Sequence, residues 1–146
     1  MDGSIRIVIA DDENSIRRLV RMAIAGADGL TLVGEACDGS EVLKLAEDLR
    51  PDVVLLDLNM PNLDGIGAAK QLREVHPSGR VVVLTAYDDE SMRLEAFDCG
   101  VQCYLVKGNV SVAEVIAVIR EVVLEMECPH TVHHRAIHWR DGERAA

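Results

Sequence analysis

The feature that most limits how this chain can fold is a strict alternation of two kinds of segment. Short apolar, β-branched runs are followed each time by a longer amphipathic run. Ile5–Ala10 reads as a strand, and Ser15 to Ala25 then places Ile16, Leu19, Val20, Ala23 and Ile24 at helical spacing. Leu30–Ala36 is a second strand, followed by a helix from Ser40, its expected cap, to Leu49, with Pro51 beyond its end. Val53–Leu56 is wholly apolar, as a strand covered on both faces should be. Asp64 caps a helix running to Val75 and stopped by Pro77. Val81–Leu84, a helix over Glu90 to Cys99, the strand Cys103–Val106 and a helix capped by Ser111 complete the chain's regular part. Five strands alternating with five helices imply the α/β class: a doubly wound five-stranded parallel sheet with right-handed crossovers.

Size and charge agree with one such domain. The 146 residues are 49% hydrophobic, with a mean hydropathy of +0.10, enough for a full core without covalent staples. The net charge of -10 argues against direct nucleic-acid binding, because phosphate contacts need cationic side chains. No apolar run is long enough to span a membrane, and the N-terminus lacks the pattern of a secretory signal, so the expected location is cytoplasmic. Cys37, Cys99, Cys103 and Cys128 form no CxxC pair and are expected to be reduced.

Composition shifts near Cys128. Residues 1–127 hold 12 basic and 23 acidic side chains, whereas residues 128–146 hold three arginines, two acids, four of the five histidines and the only tryptophan. The domain is therefore expected to occupy 1–127, with a flexible His-rich tail over 128–146. Cys128, His130, His133, His134 and His138 have the donor types for Zn²⁺, Ni²⁺ or Cu²⁺, but their spacing matches no known zinc module. Trp139, flanked by Arg135 and Arg140, is an alternative contact for a partner.

The strand ends carry the chemistry. The first strand runs into Asp11, Asp12 and Glu13; the third ends at Asp57, the fourth at Thr85 and the fifth at Lys107. In an open parallel sheet these ends share one edge, where ligands bind. Three carboxylates, a hydroxyl and an ammonium would meet there. Bare carboxylates at Asp11, Asp12 and Asp57 would repel one another, and a divalent cation relieves the conflict. Few, hard oxygen ligands suit Mg²⁺ that keeps several waters and a phosphate oxygen. Lys107 would neutralise a phosphoryl oxygen, Thr85 would donate a hydrogen bond, and Asp57 would be the nucleophile.

The stretches IRIVIADDE, PDVVLLDLNMPNLDG, VVVLTAYDD and GVQCYLVKG, spread over residues 5–124, resemble the receiver domain of two-component response regulators. The resemblance implies strand order 2-1-3-4-5, the flavodoxin- and CheY-like arrangement. It implies that Asp57 is the phosphoacceptor, that Asp12 binds Mg²⁺ directly and Asp11 through water, and that Asn59 offers its backbone carbonyl to the metal. Thr85 would be the switch hydroxyl, Lys107 the phosphoryl clamp, and Tyr104 the ring that turns inward when Thr85 moves. Ala86 would leave room for phosphoryl access, and Pro61 and Gly65 would shape the adjoining loop. Tyr87, near the mouth of the site, is expected to screen the phosphoryl group from water and slow its loss. The implied partners are a sensor histidine kinase or phosphotransfer protein, and an unknown output protein meeting the face of helix four, strand five and helix five. A phosphorylation-dependent homodimer through the last helices is a further expectation.

One departure stands out. Many receivers read Lys-Pro after the last strand, but this chain reads Lys107-Gly108. Lys-Gly, EACDGSEVL and LTAYDDE are most similar to receivers that precede LuxR-type helix-turn-helix domains. The 128–146 segment holds no helix-turn-helix pattern, so the chain is expected to be a stand-alone receiver or the receiver part of a DNA-binding regulator. Two further readings are an aspartyl-phosphate hydrolase and a metal sensor run by the tail. The hydrolase signature has an acid two residues after the nucleophile, where this chain has Asn59.

Overall fold

Five apolar runs pair as the strands of one parallel sheet. A computed structural model describes residues 3–61 and 63–124. The elements in chain order are β1 (Ile5–Ala10), α1 (Asn14–Ala25), β2 (Leu30–Ala36), α2 (Gly39–Leu49), β3 (Val53–Leu56), β4 (Asn59–Met60), β5 (Leu63–Asp64), α3 (Gly65–Val75), β6 (Arg80–Thr85), α4 (Glu90–Asp98), β7 (Cys103–Val106) and α5 (Val112–Leu124). The main sheet runs β2-β1-β3-β6-β7, which is order 2-1-3-4-5 when the two-residue strands β4 and β5 are left out of the count. The expected tail, with Cys128 and its histidines, and the 127/128 boundary lie outside the described residues.

The apolar strands sit where their composition demands. β3 and its neighbour β6 are buried along their lengths apart from Arg80, because helices cover both faces. β2, at the sheet edge, is only partly covered. Its pairing with β1 slips between Ile7 and Val8, so that Ile7 faces Leu32 and Val8 faces Gly34, leaving Val33 as an extra residue. On one side α1 packs on α5; on the other α2 packs on α3 and α3 on α4.

Helix ends follow the local polar residues. Asp64 caps α3 by accepting from the Gly67 N–H. Ser111 and Glu114 form a reciprocal box at the start of α5: Ser111 Oγ accepts from the Glu114 N–H and Glu114 Oε1 from the Ser111 N–H. The expected Ser40 cap is a correction. Asp38 caps α2 instead, taking the Glu41 N–H at 2.9 Å, and Ser40 donates its hydroxyl to the same Asp38 oxygen. A carboxylate is the stronger acceptor and already stands at the extended residue before the helix. The apolar stripe of α1 is also narrower than expected: Val20 and Ile24 are buried, but Leu19 is half exposed.

The sheet does not stop cleanly after β3. The chain folds back as the antiparallel ribbon β4–β5, pairing Asn59 with Asp64. This brings Gly65 against the backbone of Leu58, where an added Cβ would lie 2.7 Å from the Leu58 carbonyl carbon and nearer still to Leu58 Cα and O. Main chain cannot yield as a flexible side chain would. Gly65→Ala should therefore lower the urea midpoint at unchanged slope, by about 1–3 kcal/mol of stability in equilibrium unfolding.

Candidate functional site

The strand order reverses between β1, which pairs with β2 on one side and β3 on the other, and the later strands beyond β3. Asp11 follows β1 and Asp57 follows β3, so the two acids flank this crevice. The Asp57 N–H donates to the Ala10 carbonyl at 2.9 Å, which locks the two strand ends together. Asp11 and Asp57 are buried and Asp12 is exposed. Each offers a carboxylate oxygen, and these oxygens lie within 4.8 Å of one another. An all-oxygen set of this size, with one ligand open to water, has the donor chemistry of a hard divalent cation.

Backbone N–H groups aim the buried acids. Asp11 Oδ1 accepts from the Glu13 N–H at 2.9 Å, and Asp57 Oδ1 from the Asn59 N–H at 3.0 Å. That leaves Oδ2 of each toward Lys107. The Lys107 ammonium lies 2.8 Å from Asp11 Oδ2 and 3.3 Å from Asp57 Oδ2. It is set there by the chain: the Lys107 N–H donates to the Thr85 carbonyl at 2.7 Å, extending the β6–β7 pairing by one residue. Gly108 follows with φ +90°, in the left-handed region. Proline, fixed near φ −65°, cannot make that turn, so glycine at 108 has a steric reason. Among the described residues every peptide bond is trans, Lys107–Gly108 included.

Charge and burial compete here. Burial pushes the Asp57 carboxyl above its ordinary range, and the nearby Asp11 adds to the rise, while the Asn59 N–H and the Lys107 charge pull it back. Burial alone would lower Lys107; its hydrogen bonds to Asp11 and Glu13 and the charges of Asp57 and Asp11 outweigh that and raise it well above the usual lysine value. The ammonium is thus permanently charged at neutral pH.

Thr85 ends β6, fully buried, its Oγ1 accepting a long 3.4 Å contact from the Tyr87 N–H. Ala86 is exposed and the Tyr87 side chain half exposed, at the solvent edge of the same loop. Tyr104, in β7, is fully buried, and its hydroxyl donates 2.8 Å to the Tyr87 carbonyl. The ring is inside the body. Phe97 and Met92 of α4 pack on the core; Cys103 is buried and Cys99 half-buried, both as free thiols. Sequence reasoning overlooked the side chain of Glu13, which reaches Lys107 at 2.8 Å. Its signal was the third acid in the Asp11-Asp12-Glu13 run.

The model of the response regulator receiver domain matches residues 7–120. The chain belongs to that family. The receiver is 41% identical over 101 residues to the nitrate/nitrite response regulator protein NarL of Escherichia coli, covering 69% of this chain and 47% of that protein. It is 36% identical over 118 residues to the response regulator GacA of Pseudomonas viridiflava, covering 81% of this chain and 55% of that one. The chain spans about half the length of these curated relatives. Among solved structures, the receiver domain of the putative response regulator NarL from Mycobacterium tuberculosis superposes with TM-score 0.78 at 30% identity, covering 83% of this chain and 97% of that one. A LuxR-family two-component response regulator from Aurantimonas gives TM-score 0.78 at 29% identity, covering 84% and 86%. Among the described residues no helix is long and apolar enough to cross a membrane.

Burial, helped by the charges of Asp89, Asp88 and Asp57, pushes the Tyr104 phenol up to about 12. A phenol raised above its unfolded value of about 10 stabilises the fold fully below that pH, and the contribution is lost as pH climbs through the folded value. Tyr104→Phe should therefore be less stable than the parent by about 1 kcal/mol near neutrality. The gap should narrow as pH rises from about 10 towards 12. Urea unfolding of both proteins across that range measures it, and a constant gap would refute the assignment.

Proposed function

We propose that this receiver is a phosphoacceptor switch in which Asp57 takes a phosphoryl group from the phosphohistidine of a sensor histidine kinase or phosphotransfer protein. The observation that carries the reading is the approach of Lys107 to within 3.3 Å of Asp57 Oδ2 and 2.8 Å of Asp11 Oδ2, across 50 or more residues of chain. Held between the two buried carboxylates, the ammonium stands where an oxygen of a phosphoryl group on Asp57 would meet it.

Asp11, Asp12 and Asp57 would hold Mg²⁺ together with the Asn59 backbone carbonyl, and the ion would neutralise charge building on the phosphoryl oxygens. The chain's own residues do the rest. A carboxylate oxygen of Asp57 attacks phosphorus in line; the O–P bond forms as the N–P bond breaks, and the electron pair returns to the donor imidazole nitrogen. Lys107 takes charge from one phosphoryl oxygen, and Thr85 turns its hydroxyl to another. Such transfers depend mainly on positioning and charge neutralisation. Movement of Thr85 draws on the loop through Tyr87, to which Tyr104 is bonded, and so reshapes the face formed by α4, β7 and α5 for an output protein. A phosphorylation-dependent homodimer through the last helices is a second way to read out that change. Asn59, which has no acid function, favours a switch over a turnover hydrolase.

The second reading is that the receiver governs a DNA-binding output in a transcriptional regulator. The similarity to proteins described as transcriptional regulators favours it.

Incubation with acetyl phosphate and Mg²⁺ should add the mass of one phosphoryl group, and Asp57→Asn should abolish the addition. An unchanged addition in that variant would reject the assignment. Tyr87 lies two residues past Thr85 with its ring half exposed, and on this reading the ring screens the acyl phosphate from water. Tyr87→Glu should shorten the acyl-phosphate lifetime several-fold, of the order of one kcal/mol in barrier, read by phosphoryl loss after donor removal. An unchanged lifetime would remove Tyr87 from the account.

A further inference from the structure

Glu13 stands at the N-cap of α1 in an extended conformation, yet its carboxylate makes no bond to the helix it begins. It reaches across the mouth of the site instead, placing Oε1 2.8 Å from Lys107 Nζ. An ammonium has three protons, and Lys107 faces three acceptors: Asp11 at 2.8 Å, Glu13 at 2.8 Å and Asp57 at 3.3 Å. Its donors are therefore all spoken for, and the longest contact is the one to the nucleophile. Asp11 and Asp57 are buried, but the Glu13 side chain is 55% exposed, so Glu13 is the partner on the solvent side of the ammonium.

We infer that Glu13 is a positioning residue that latches Lys107 in the unphosphorylated receiver and must release it before the ammonium can clamp the phosphoryl group on Asp57. The inference rests on the phosphoacceptor reading above. Lys107 is anchored by its own backbone to Thr85, so the exchange of partners is confined to the side chain. The contact is exposed and screened, hence modest in strength. It sets the ease of loading rather than deciding whether loading occurs.

Two substitutions separate contact from charge. Glu13→Gln removes the charge and keeps the length. Glu13→Asp keeps the charge but is one methylene short of Lys107, and an aspartate at an N-cap turns readily to the helix's free N–H groups. Glu47→Gln, on an exposed position of α2, controls for net charge. In the free proteins, nitrogen-proton NMR of the Lys107 ammonium should show faster solvent exchange in both Glu13 variants and no change in Glu47→Gln. At saturating Mg²⁺, where metal affinity drops out, beryllofluoride should bind both Glu13 variants about two- to fivefold more tightly than the parent. If Glu13→Asp binds like the parent, the latch is overturned, whatever Glu13→Gln does, since then only the field of the charge matters. If the parent itself takes up no beryllofluoride, the phosphoacceptor reading fails and the latch with it.

Discussion

Everything at the functional edge of this sheet depends on one charge balance. Asp11 and Asp57 are carried out of water at adjoining strand ends, and a single ammonium, Lys107, stands between their inner oxygens. Removing carboxylates from water is costly unless they are paired and hydrogen-bonded. Here each has a backbone N–H on one oxygen and the shared cation on the other. The arrangement holds as it stands but leaves more negative than positive charge in the crevice. A receiver built this way is disposed to accept a further cation, and through it an anionic group. The site's chemistry is the residue of an incomplete neutralisation.

The sheet makes that balance possible by bringing distant residues together at low entropic cost. Lys107 is placed by the N–H bond to Thr85, Asp57 by the bond to Ala10, and Asp11 by that to Ala36. Asp11, Asp57 and Lys107 therefore each sit one residue past the last paired residue of a strand, and Thr85 sits on it. The core beneath, with Val54, Leu55, Val82 and Val83 buried, fixes the strands' register and so the height of every one of these groups.

Most of this was legible because burial writes a period into sequence. The five long strands and five helices follow from apolar runs and helical stripes, and the site follows from reading the residues after each run. What escaped has physical reasons. The β4–β5 ribbon is two residues a side, too short to show alternation, and it brings Gly65 against the Leu58 backbone, where only glycine fits. Ser40 and Asp38 compete for one cap, and propensity alone does not rank a hydroxyl against a carboxylate two positions earlier. Glu13 was legible only as the third acid after the first strand; that its side chain turns to Lys107 depends on the fold. The turn at Gly108 likewise depends on a dihedral angle, which no spacing encodes.

The bond from the Tyr104 hydroxyl ends on the main-chain carbonyl of residue 87 and not on that residue's side chain. On the proposed mechanism, mechanical linkage and chemical timing would therefore be independent properties of one position. Under that proposal, descendants of this protein would trade the ring at 87 for another group, lengthening or abbreviating the memory of a stimulus, while the main-chain tie to Tyr104 stays whole.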